Sequence, residues 1–371
     1  MAATLERILV QPAAGRTSEQ APGGRLLSLD AYRGFIMLVL VSHGFGFPAL
    51  KKDPLFAWVA REFQHVEWEG MASWDLIQPA FLFMVGMAMP FAFARRQAEG
   101  AAFGKLFRHA ARRAFLLVVL SQVLISISGQ RLSFQLINVL SQIAFTYLLC
   151  FLILRLRFRA QALVAALLLA GHWALFVLFP GPDGPFSKTG NIGAVIDHAV
   201  LGKNYSGYYV TINFLSSTVT TLFGAWAARL LMGKRGHGYK MDALAGAAAA
   251  CFLGGVALQP FNPLVKRLWT ASFTLASAGW VFLALLGFYW LVEVRGLRRA
   301  AFPLAVVGMN SIFIYSVDQA LYGWLDQSLA VFTRRFAFLG LLAPVAQATL
   351  ALLVMWYICY WFYRRKIFFK I

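Results

Sequence analysis

Charge is what this sequence has least of. Charged residues fill 13% of its 371 positions and only 15 of them are carboxylates; a soluble domain carries about 25%. With 60% hydrophobic residues, 34 phenylalanines and a mean hydropathy of +0.66, an ordinary soluble globule is excluded. Cysteine is also scarce. Cys150, Cys251 and Cys359 all lie in apolar runs without CxxC spacing, which argues against a zinc or redox site and against a disulfide. The G-x-x-x-x-G-K-[ST] spacing is missing too, so GKRGHGYK (233–240) reads as a basic loop and not a phosphate cradle. Period-2 alternation is absent, which argues against a transmembrane β-barrel. No internal repeat is visible.

What remains is a series of apolar runs of about 20 residues, each long enough to cross a ~30 Å bilayer core as a helix. Lipid satisfies no open backbone group, so the expected fold is all-α, a polytopic integral membrane protein. Ten spans are expected, near 28–48, 74–94, 109–128, 134–154, 160–179, 209–232, 241–259, 268–293, 300–324 and 338–362. The transmembrane domain covers 25–371, behind a disordered cytoplasmic tail over 1–24. The run beginning near Ala31 is too long for a signal-peptide core and reads as a retained span.

The net charge of +19 invites a nucleic-acid reading, but the positions of the basic residues exclude it. They cluster at the ends of the apolar runs. With both termini cytoplasmic, more than two thirds of the 34 lysines and arginines fall on the cytoplasmic side, as the positive-inside rule requires. Carboxylates go the other way. Asp53, Glu62, Glu67, Glu69, Asp75, Asp183, Asp197, Asp318 and Asp326 fall outside. The longest outer loops, 49–73 and 180–208, read as functional by their length.

One stretch concentrates acid–base groups. QHVEWEGMASWDLIQP (64–79) holds His65, Glu67, Glu69, Asp75, Trp68 and Trp74 where the first outer loop meets the second span. A carboxylate beside an imidazole orients it, and histidine suits proton transfer near neutrality. Asp30 and Arg33 stand at i,i+3 and can pair on one helix face; the other reading has Arg33 facing a cavity that holds an anion. Ser42 and His43 sit near the outer end of the first span. Asn138, Gln142, Asn213 and Asn310 are polar groups inside apolar runs, where hydrogen bonding between helices is the default explanation. KLFRHAARRAF (105–115), with Arg112 and Arg113, is either a positive-inside anchor or a mouth that attracts phosphates.

Several blocks together carry a resemblance. RLLSLDAYRGFIMLVLVSHGFG (25–46) and HVEWEGMASWDLIQPAFLFMVG (65–86) resemble two signatures of the heparan-α-glucosaminide N-acetyltransferase family, S-L-D-x-x-R-G and H-x-x-W-x-G-x-x-x-x-D-L-V-F-P. NVLSQIAFTY (138–147), NIGAVIDHAVLG (191–202), LWTASF (268–273), VRGLRRAAFPLAVVGMNSIFIY (294–315) and YRRKIFFKI (363–371) are similar to further family blocks in the same order. The pattern is nearest to a bacterial branch, which implies a bacterial inner membrane. A broader membrane acyltransferase family also opens L-D-x-x-R-G, but here Arg33 and His43 stand one residue closer than that pattern expects.

The resemblance implies transfer of an acetyl group from cytoplasmic acetyl-CoA to an extracytoplasmic amino sugar or glycan, by N- or O-acetylation. The family histidine falls on His65, and the family asparagine falls on Ser42, a departure because serine lacks the amide; His43 stands beside it to take part of that role. The expected catalytic set is therefore His65, Asp75, Glu67, His43 and Ser42. Arg33, Arg112, Arg113 and Asn310 are expected to contact acetyl-CoA, Trp68 and Trp74 to stack on a sugar, and no metal is expected. Two routes fit: direct attack of the acceptor amine with His65 as base, or an acetyl-histidine intermediate. A second copy of the chain is a candidate partner. A transporter or flippase without acyl chemistry is the alternative, and an inactive scaffold is a third.

Overall fold

The computed structural model describes residues 26–98, 100 and 102–369; the expected tail over 1–24 lies outside them. The described residues form helices and no β-strand. In chain order these are α1 (Leu27–Val41), a 3₁₀ segment (His43–Leu50), α2 (Ala57–Glu62), a 3₁₀ turn (Ser73–Leu76), α3 (Ile77–Ala98), α4 (Phe103–Ser128), α5 (Val139–Ile153), α6 (Phe158–Leu178) and α7 (Ile192–Leu201). Then follow α8 (Phe214–Met232), α9 (His237–Leu258), α10 (Ala271–Tyr289) with a π turn (Trp290–Val294), α11 (Arg298–Met309), α12 (Ser311–Thr333), a 3₁₀ segment (Arg334–Leu342) and α13 (Ala343–Arg364).

The protein is thus all-α, and a helix lies on each of the ten expected spans. Six helices are long and apolar enough to cross a membrane, or eight if each bent pair is one span. The remaining two are α5 and α8. The 15 residues of α5 extend only about 22 Å, and α8 buries Ser216, Ser217, Thr218, Thr220 and Thr221.

Two expected spans are not straight. The run over 28–48 bends by 41° between Leu27–Val41 and His43–Leu50, because His43, Gly44, Phe45 and Gly46 all take positive φ, a region that disrupts helix and that L-residues seldom adopt. The run over 300–324 bends by 64° between α11 and α12, and α12 continues to Thr333. The hinge residue is Asn310. Its Nδ2 donates to the Ile367 carbonyl at 3.1 Å, and its Oδ1 accepts from the Phe369 amide at 3.1 Å. The chain after α13 therefore folds back on the break.

Glycine pairs set the closest helix crossings. A Cβ on Gly34 of α1 would lie 1.7 Å from the Leu304 carbonyl oxygen, and one on Gly308 of α11 would lie 2.0 Å from that of Asp30. Gly86 of α3 and Gly224 of α8 oppose each other likewise, with hypothetical contacts of 1.8 Å to Thr221 O and 1.9 Å to Phe83 O. Without an apolar driving force between helices in lipid, close backbone approach is what holds such crossings. The core between them is aromatic. Phe83 meets Phe282 edge-on at 4.9 Å, and the buried Tyr32 hydroxyl donates to the Val281 carbonyl at 3.3 Å.

A polar layer crosses this core. Gln78 of α3 donates to Gln142 of α5 at 2.5 Å, and Gln142 donates to Asn213 and Ser217, each at 3.1 Å. These bonds join α3, α5 and α8 just beneath the 3₁₀ turn that carries Asp75. Of the polar groups read as helix–helix ties, Gln142 and Asn213 are tied in this way. Asn138 caps α5 by accepting from the Leu140 amide at 2.8 Å, the standard use of Asn at a helix start.

Candidate active site

Three connecting segments converge over the start of α3. Gly70, at φ +116°, donates its amide to the Leu264 carbonyl at 2.8 Å. The Trp68 indole donates to the Phe186 carbonyl at 2.9 Å. Lys188 pairs with Glu67 at 2.9 Å, and the Arg267 guanidinium donates to the Glu67 carbonyl. Stretch 64–76 is thereby pinned from both sides.

Within it, Asp75 is 2% exposed and held by four hydrogen bonds. Oδ2 accepts from the Ala72 amide at 3.1 Å and the Val66 amide at 3.3 Å. Oδ1 accepts from His65 Nδ1 at 2.7 Å and from Lys266 Nζ at 3.2 Å. The same Nδ1 also lies 3.2 Å from Lys266 Nζ, which only donates, whereas a carboxylate only accepts; the shorter 2.7 Å contact to Asp75 places the hydrogen on Nδ1 and leaves the imidazole lone pair on Nε2. Nε2 has no protein partner among the described residues, and the His65 side chain is 45% exposed. This is the arrangement of a general base or nucleophile held in one tautomer by a carboxylate. Lys266, 8% exposed, supplies the charge that lets Asp75 remain buried and ionised, since an unpaired buried charge is strongly unfavourable.

The neighbouring carboxylates are engaged elsewhere. Ser73 donates to Glu62 through both its hydroxyl, at 2.7 Å, and its amide, at 2.9 Å, holding that carboxyl below the usual glutamate range. Lys188 does the same for Glu67. Glu67 therefore faces Lys188 and not His65. Trp68 packs with Phe176, Phe186, Val210 and Val265 as a pillar between loops, and Trp74 meets Phe63 edge-on at 6.1 Å.

Ser42 is 1% exposed, and its hydroxyl donates to the Val39 carbonyl at 2.7 Å within its own helix. His43 forms a second histidine–aspartate pair, Nε2 to Asp318 Oδ1 at 2.8 Å, and its ring stacks on Tyr322 with centroids 3.5 Å apart. The two pairs lie at the same end of the bundle. Phe45 and Phe47 of the first segment contact Phe63, which in turn meets Trp74.

The opposite end is basic. Arg33 lies 3.5 Å from Asp30, the i,i+3 pair that the spacing allows. Arg112 is exposed. Arg113 stacks over Tyr147 at 4.9 Å, and its buried Nε has no hydrogen-bond partner among the described residues. The amide of Asn310 is occupied by the C-terminal backbone. A cavity of about 690 Å³ opens here between α3, α4, α5 and α8, lined by Phe93, Phe103, Phe151, Arg155 and Arg229 among others. Lys266, Arg155 and Arg229 were visible in the sequence only as topology charges. Lys266 stands two residues before the start of the LWTASF block, and that proximity is the one signal that could have marked it.

Fold and site together define a polytopic all-α membrane protein with a carboxylate-held imidazole at one end and an arginine-lined cavity at the other. The chain is 26% identical to heparan-alpha-glucosaminide N-acetyltransferase of Homo sapiens, over 98% of its own length and 62% of that protein. It is 23% identical to the Mus musculus protein of the same name, over 97% of its length and 62% of that protein. It thus spans about three fifths of the length of these curated relatives. No protein-family model matches. The resemblance to the heparan-α-glucosaminide N-acetyltransferase family carried by the motifs holds along almost the whole chain.

Proposed function

We propose that this chain is a membrane acyltransferase that moves an acetyl group from acetyl-CoA to the amine of an amino sugar or glycan. The observation that carries this reading is the His65 Nδ1–Asp75 hydrogen bond of 2.7 Å, which leaves Nε2 as a base at a half-exposed position. His65 Nε2 takes the proton that the acceptor amine loses as its nitrogen bonds to the acyl carbon. Asp75 holds the ring and balances the imidazolium. The thioester supplies the activated acyl group, and its departing thiolate takes the proton back.

Acetyl-CoA fits the opposite end of the bundle. Its phosphates suit Arg155 and Arg229 at the 690 Å³ cavity, and the Nε of Arg113, without a hydrogen-bond partner among the described residues, is a further donor at the basic end. Arg33 and Arg112 widen the same basic field. In this reading both termini and the basic end are cytoplasmic, and His65 faces the far side of a bacterial inner membrane. One observation favours a transporter instead: two spans are broken, as in many transporters.

Proteoliposomes separate the two. With acetyl-CoA on one face and a panel of amino sugars on the other, the acyltransferase reading predicts acetylated sugar and free CoA in equal amounts. Sugar movement without acetylation would overturn it.

A further inference from the structure

Helix α4 carries a feature that the proposed reaction leaves unused. It is long and apolar enough to cross a membrane, yet only 28% of its most apolar stretch is buried in the bundle. Leu106, Ala110, Ala114 and Leu117 turn inward. Lys105, Arg108 and Arg112 are exposed, and their i, i+3, i+7 spacing puts them on one side of the helix. Phe115, Leu116, Val119 and Val123 continue that side toward the membrane interior and are exposed as well. We propose that this side of α4 binds an anionic phospholipid, with its phosphate on the three cations and an acyl chain along the apolar residues that follow.

Charge selects that class of ligand. The side chains of Lys105, Arg108 and Arg112 have no hydrogen bond or ion pair among the described residues. The sequence supplies little to neutralise them, since Glu99 is the one carboxylate between Asp75 and Asp183. A second helix adds to the field: Arg96, near the end of α3, meets His109 beside the stripe. Arg113 turns the other way and stacks over Tyr147 at 4.9 Å, so the outward stripe is distinct from the arginine that faces the bundle. Clustered cations at a membrane surface attract anionic headgroups. A zwitterionic headgroup brings its own cation against the stripe and loses that attraction.

The order of residues along the helix matches a lipid rather than a free phosphate. Lys105 to Arg112 covers about 10 Å at 1.5 Å per residue. That is near the ~5–8 Å headgroup layer on each side of the hydrocarbon core, and the long stem of Arg112 reaches back to it. From Phe115 to Ile127 the same helix runs about 18 Å further, a depth suited to an acyl chain. A free phosphate gains the cations but nothing from this apolar run. The inference rests on the chain spanning a membrane and is independent of the acyl transfer.

Native mass spectrometry of the detergent-purified chain, titrated with phosphatidylglycerol or phosphatidylcholine, tests this. Phosphatidylglycerol is expected to bind at least about ten-fold more tightly. Lys105→Gln with Arg108→Gln changes two exposed side chains, so the melting temperature should hold, while the Kd for phosphatidylglycerol should rise by about ten-fold or more. Lys234→Gln with Arg235→Gln removes the same charge from the exposed loop before α9 and should leave that Kd within about two-fold. Glycerol phosphate at the lipid concentration should not displace the lipid. Equal affinity for the two lipids, an unchanged Kd in the first pair, equal weakening by both pairs, or displacement by glycerol phosphate would overturn the proposal.

Discussion

Asp75 and Lys266 are the residues on which His65 depends. Asp75→Asn keeps the size of the side chain but removes the acceptor pattern that fixes the imidazole tautomer. The expected result is a fall in kcat of about 10²–10⁴-fold, with KM for acetyl-CoA within about two-fold, measured by CoA release. Lys266→Met leaves the buried Asp75 carboxylate without its compensating lysine charge, which destabilises by up to about 3–5 kcal/mol; thermal unfolding in detergent would register it. The loop junction carries a pH signature. Lys188 lowers the Glu67 pKa in the folded state, so the stabilisation from this pair is fully present above the ordinary glutamate range and disappears as pH falls through the lowered value. Hydrogen-exchange protection at 64–70, taken relative to the intrinsic rate at each pH, should therefore match at pH 7 and pH 6 and fall only in strong acid. In Lys188→Gln that loss of protection should begin at higher pH. His65 and Asp75 were both legible as candidates because they fall in one short stretch, but the sequence left Glu67 open beside Asp75 as the partner of the imidazole. Lys266 was not legible, since nearly 200 residues of chain intervene and a lysine at a helix end reads first as a topology signal.

At the scale of elements, the glycine crossings hold the site in place. Gly86→Val would push a side chain into the Thr221 carbonyl, 1.8 Å from the new Cβ. Helices α3 and α8 would have to separate, at a cost of about 1–3 kcal/mol or more. Lower yield of monodisperse protein and a depressed melting temperature are expected, whereas Gly104→Ala, with open space around it, should be neutral. Hydropathy located a helix for every expected span, because long apolar runs have few other solutions in lipid. It missed both breaks. SHGFGF at 42–47 reads as the end of an apolar helix, and only its two glycines hint at the left-handed run that turns His43 toward Asp318. Asn310 read as an interhelical tie or a cofactor contact. It is a hinge clamp whose partners lie 57 and 59 residues away, a distance that no local pattern encodes.

The whole molecule joins two chemically different ends. Arg155→Glu with Arg229→Glu should raise KM for acetyl-CoA several-fold or more while leaving the hydrogen bond that orients His65 intact, since the basic cavity lies at the opposite end of the bundle. The basic end was legible from charge clustering alone. Which arginines line the cavity was not, because Arg155 and Arg229 come together only when α5 and α8 pack against α3. His65 is the residue on which the proposed transfer depends most. Its most direct test is acetyl transfer from acetyl-CoA to glucosamine by the wild-type chain and by His65→Ala in lipid nanodiscs, with product measured by mass spectrometry. The prediction is turnover by the wild type and a loss of at least about 10²-fold in the variant, with melting temperature and acetyl-CoA affinity preserved. Undiminished transfer by a correctly folded His65→Ala protein would contradict it.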